Sequence, residues 1–140
     1  MNSQKYLPQI VRAVGSSYLF QQTASCERVG GVEVSVRVRL PEELTSQTTP
    51  TAPNHIQIVP TVYGSDEPWQ EDSNIEQTAV DGIIDYAHEQ NIDLTRLEIK
   101  IGNFLFHPVD SRPSVYYAAA QNAFEAAIKT IGKRKLVRKT

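Results

Sequence analysis

A chain of 140 residues, 40% apolar and 21% charged, is long enough to bury the core of one domain and is neither fibrous nor wholly disordered in composition. The formal charge of −2 is unevenly spread: Lys129, Lys133, Arg134, Lys135, Arg138 and Lys139 crowd the last twelve residues, leaving eight bases against sixteen acids, so a body near −8 precedes a tail near +6. A single cysteine, Cys26, excludes an internal disulfide and a thiolate metal cluster and suits a reducing, cytoplasmic setting; Met1 to Gly15 reads as neither a secretory signal nor a membrane span, and no apolar run approaches ~18 residues.

After an N-terminal arm over residues 1–17, Tyr18 to Thr23 has β-type composition and Gly30-Gly31 marks a turn, so the two bracket a hairpin. Val32, Val34, Val36, Val38 and Leu40 then alternate with Glu33, Ser35, Arg37 and Arg39. This period of two predicts a strand with one face on a core and one in water. Pro41 ends it, and residues 42–54, rich in Thr, Ser, Gln and Pro, read as a flexible loop. His55 to Val59 predicts a strand that stops at Pro60, followed by an acidic turn from Gly64 to Asp72 around Pro68 and Trp69.

Ser73 and Glu76 have the spacing of a capping box, and Ile75, Ala79, Ile83 and Tyr86, with Val80 and Ala87, form the apolar stripe of a helix that stops near Asn91. Leu97, Ile99 and Ile101 predict another strand, with Gly102-Asn103 as a turn before Phe104-Leu105-Phe106. The last helix begins near Ser111 to Pro113, buries Tyr117, Ala120, Phe124, Ala127 or Ile128, and Ile131, and stops at Gly132. The expected architecture is one α+β domain over 1–132 with a basic tail over 133–140. Two helices pack on one face of a mainly antiparallel sheet of about four strands.

Chemistry concentrates in the turn between that strand and the last helix, where His107, Asp110, Ser111 and Arg112 sit among Pro108 and Pro113. Three residues of one short turn do not reach the geometry of a Ser-His-Asp triad. His55, His88 and His107 have no metal-ligand spacing, and there is no G-x-x-x-x-G-K-[ST] phosphate loop. No catalytic residue, metal, cofactor or nucleotide is expected. Asp110 and Ser111 read most simply as helix caps; His107 reads as an RNA contact or as a histidine satisfying backbone groups, and Arg112 as a phosphate contact or an exposed helix-start residue. The aromatic residues near the hairpin and last helix read as core, whereas the tail bases read as phosphate-neutralising or simply solvated.

Phe106-His107-Pro108-Val109-Asp110-Ser111-Arg112, followed by Tyr117-Ala118-Ala119-Ala120 and Ala123-Phe124, resembles domain IV of the elongation factor G family. The upstream Ala79-Val80 and Gly82-Ile83 are similar to the family's first helix, and the likeness covers roughly Tyr18 to Ile131. The resemblance implies a ribosomal-protein-type fold with a left-handed β-α-β crossover. It also implies a role in translation without a GTPase domain, reaching ribosomal or other structured RNA through the tip turn 107–112. His107, Arg112 and the tail bases Lys133, Arg134, Lys135, Arg138 and Lys139 would then be the RNA contacts, with Pro108, Asp110 and Ser111 shaping the turn. Ser25 to Gly31 departs from the family's Gly-rich segment, and the acidic Gly64 to Asp72 replaces its Gly-Gly and Ile-Pro lead. A protein-interaction module that kept the fold and lost RNA binding is the alternative.

Overall fold

The computed structural model describes residues 11–23, 26–39, 56–107, 111–132 and 136. Strand β1 (Arg12–Thr23) pairs antiparallel along its whole length with β2 (Cys26–Val38). The arm expected over 1–17 is therefore sheet from Arg12 onward, and the hairpin reverses between Thr23 and Cys26. Gly30 and Gly31 lie inside β2. A Cβ on Gly31 would stand 2.7 Å from Tyr18 Cα, so this glycine marks close approach of the two strands rather than a turn.

Strand β6 (Leu97–Leu105) runs antiparallel to β2 on one side and parallel to β3 (Ile56–Ile58) and β4 (Thr61–Val62) on the other; β5 (Ser65–Pro68) pairs antiparallel with β4 and forms the far edge. β3 and β4 are one line of chain interrupted at Pro60, which has no N–H to donate. Val59 N donates to Ile101 O and Tyr63 N to Phe104 O on either side of the break. Among the described residues the sheet has six strands, where about four were expected, because Pro60 divides one strand and the acidic segment supplies the short β5.

The sequence suggests a turn at Gly102-Asn103, but β6 continues through it. Gly31 faces Leu105 while Glu33 faces Gly102, so β6 carries one extra residue, absorbed where Asn103 takes a φ of 48°. Asn103 N is held by Thr61 Oγ1 at 2.8 Å. The bulge changes the parity of the strand: Leu97, Ile99 and Ile101 face the core before it, and Phe104 faces the core after it.

Helix α1 (Ser73–Glu89) and helix α2 (Pro113–Ile131) cover one face of the sheet. The cap of α1 lies one residue earlier than expected. Asp72 accepts from Asn74 N and Ile75 N, while Glu76 Oε2 accepts from both Asp72 N and Trp69 Nε1. Ile75, Ala79, Ile83 and Ala87 are buried as their spacing predicts. In α2 the buried tyrosine is Tyr116, whereas Tyr117 bonds Asp85 at the surface. Ala119, Ala120, Ala123 and Ala127 let α2 sit close to its neighbours, with Gly15 of β1 directly beneath Ala123 and Ala127.

Candidate nucleic-acid interface

The expected tip turn is tied by Ser111. His107 N donates to Ser111 Oγ at 2.8 Å, Ser111 N donates to His107 O at 3.0 Å, and Ser111 Oγ donates to Val29 O of β2 at 2.6 Å. Tyr116 Oη has one proton, which goes to Leu105 O at 2.5 Å, so its 3.2 Å contact with Ser111 Oγ is secondary. Ser111 is therefore not the helix cap. That position is Arg112, with no capping side-chain bond, and Pro113 follows as the first helical residue. The serine hydroxyl joins turn, hairpin and helix instead of presenting a nucleophile. Ser111→Ala is expected to cost about 1–3 kcal/mol, since Val29 O is left without this partner in the interior; urea unfolding measures it, and a loss below about 0.5 kcal/mol would remove Ser111 from this role.

His107 is half-buried at the start of the turn and Arg112 is exposed at its end. Pro108, Asp110 and the tail bases Lys133, Arg134, Lys135, Arg138 and Lys139 lie outside the described residues. Arg112 instead meets a residue that the sequence reading passes over. Arg112 and Arg28 line one cleft of about 420 Å³ between the β1–β2 hairpin and the start of α2, together with Ser17, Ser114 and Asn122. Neither guanidinium has an ion pair or hydrogen bond among the described residues, none of which brings a carboxylate to the cleft. The uncapped first turn of α2 adds its partial positive charge. The available sequence signal was an arginine on a hairpin arm whose partner strand leads under the last helix.

Other basic groups are differently placed. Arg12, Arg37 and Lys100 surround a shallow pocket of about 60 Å³ on the face of the sheet opposite the helices, where Arg37 is engaged by Glu98 at 3.0 Å. That face also carries Tyr18 against Tyr63, ring centroids 4.3 Å apart, and Phe20 is 67% exposed. Phe20 is thus not core, contrary to expectation, because no described element covers the open face. Tyr18 donates to Asn103 O, and burial first, then Glu33 and Tyr63, push its phenol up to about 12. A raised folded-state value means that its contribution is complete below the unfolded value of ~10 and is lost as pH climbs through 12. The melting temperature should fall across pH 10–12, and fall less in Tyr18→Phe; equal slopes in the two proteins would exclude this coupling.

Charge divides the molecule by element. All fourteen Lys and Arg lie at or before Arg39 or at or after Arg96, whereas only Glu27, Glu33, Glu98, Asp110 and Glu125 of the sixteen acids lie there, so eleven acids and no base fall between. β3, β4, β5 and α1 therefore form an acidic half, and the cleft of Arg28 and Arg112 belongs to the other.

This architecture is similar to that of solved proteins. The crystal structure of ttk003000868 from Thermus thermophilus superposes with a TM-score of 0.52 at 19% identity, covering 85% of this chain and 16% of that one. The likeness shows the fold. The chain thus spans a small part of that protein's length. No protein-family model matches the chain, and no curated protein does.

Proposed function

We propose that the chain is a non-enzymatic, translation-factor-like module of the cytoplasm, resembling domain IV of elongation factor G, that binds ribosomal or other structured RNA. The contact surface is the end of the domain where hairpin, tip turn and α2 meet. Arg28 and Arg112 neutralise phosphates, and His107 starts the turn that Ser111 ties to the hairpin.

The observation that carries the reading is a pair of arginines in one cleft whose side chains have no partner, and whose lining has no carboxylate, among the described residues. Guanidinium groups match phosphate oxygens in geometry as well as charge, and fixed elements on both sides hold them at low ordering cost. An overall charge of −2 does not oppose this, because the acids are concentrated on other elements.

Sedimentation with ribosomes and filter binding to a structured RNA over a salt series test it. Association that weakens steeply with salt and depends on His107 and Arg112 is the expected result. Absence of salt-dependent association, or binding indifferent to those substitutions, would sink the reading.

A further inference from the structure

We infer that the acidic half of the molecule carries a second, separate binding site: a groove for a cationic segment of a protein partner, formed where β4, β5, the start of α1 and the end of β6 meet. The groove holds about 290 Å³. Val62, Pro68, Trp69 and Phe106 give it an apolar floor, and Glu67 and Glu71 stand on its rim.

The floor is built rather than accidental. Trp69 is 9% exposed, stacks on Phe104 at 4.3 Å between ring centroids, and is fixed through its indole N–H to Glu76. Phe106 meets it edge-on at 5.7 Å yet stays 42% exposed, a large apolar ring covered by the fold on one side only. The bulge at Asn103 delivers it there. By shifting the parity of β6 it sends Phe104 into the core and Phe106, two residues on, toward the same side at the rim.

The rim decides the occupant's chemistry. Asp72 and Glu76 are committed to the helix start and the indole, whereas the Glu67 and Glu71 side chains have no partner among the described residues. No Lys or Arg occurs between Arg39 and Arg96, so β4, β5 and α1 carry no base that could neutralise them. Negative potential over an apolar, aromatic floor fits Lys or Arg side chains flanking an aliphatic or aromatic one, and it repels RNA. Leu136 is buried and its carbonyl accepts from Asp93 N, beyond the opposite end of α1 from the groove.

Trp69 is the chain's single tryptophan, so its emission reports on the groove directly. The probe is an acetylated peptide alternating lysine with leucine, titrated against its glutamate-for-lysine counterpart. The lysine peptide should shift the emission saturably, losing about three- to tenfold in affinity in Glu67→Gln/Glu71→Gln and likewise in Phe106→Ser. It should be unaffected by Arg28→Ala/Arg112→Ala, which separates this site from RNA binding. The two glutamates are exposed, so their replacement does not endanger folding. An equal shift with the glutamate peptide, or affinity unchanged in both sets of groove variants, overturns the inference. So does an emission shift that grows with protein concentration alone and vanishes when Lys133, Arg134, Lys135, Arg138 and Lys139 are replaced, since a second copy's tail would then be the occupant.

Discussion

Arg28→Ala/Arg112→Ala is expected to weaken binding of structured RNA by roughly ten- to a hundredfold near physiological salt. Each guanidinium that neutralises a phosphate also displaces a counterion, so the slope of log affinity against log salt should flatten by about 1.4–1.8 for the pair. The two effects must appear together. Lost affinity with an unchanged slope would mean that the cleft had been damaged without having touched phosphate. Arg12→Ala is the matched control, because its base lies on the opposite face of the sheet beside Ser35 and Lys100. Lysine at positions 28 and 112 should restore most of the salt slope and less of the affinity, since an ammonium keeps the charge but loses the fork of donors.

Gly15→Val should destabilise the fold by about 3 kcal/mol or more, lowering the melting temperature by about 10 °C. A Cβ at position 15 would collide with Ala123 O and come within 2.9 Å of Ala127 N. Both are backbone atoms of α2, which cannot swing aside as a side chain would, so relief requires lifting the helix from β1. Gly64→Ala provides the contrast. Its φ of 71° imposes a conformational cost of ~1 kcal/mol, but nothing lies within 4 Å of the added carbon. If the two substitutions cost the same by thermal unfolding, the seating of α2 on β1 is looser than the close approach implies.

The parts legible in the sequence were those governed by local periodicity. Val32, Val34 and Val36 sit in the core as their alternation predicts, and so do Ile75, Ala79 and Ile83 at helical spacing. The two-helix, mainly antiparallel arrangement followed from their order. Misreadings cluster where one residue type serves two purposes. Gly30-Gly31 and Gly102-Asn103 have turn composition, yet one pair makes room for α2 at Gly30 and for β1 at Gly31 while the other absorbs a bulge; composition cannot distinguish a reversal from a close approach. Ser111 has the residue type of a cap, and only the neighbouring Val29 carbonyl, 82 positions away in the chain, redirects its hydroxyl.

What the sequence by itself determined is therefore the two helices and the central strands, which of their faces are apolar, and a turn worth attention between His107 and Arg112. Tertiary structure decided the partners. Arg28 becomes the neighbour of Arg112 because β2 returns beneath the start of α2, and Phe106 becomes the neighbour of Trp69 because an extra residue in β6 reverses the strand's parity. Both are long-range juxtapositions set by register and packing. A period of two or of 3.6 states which way a side chain faces but not what waits there.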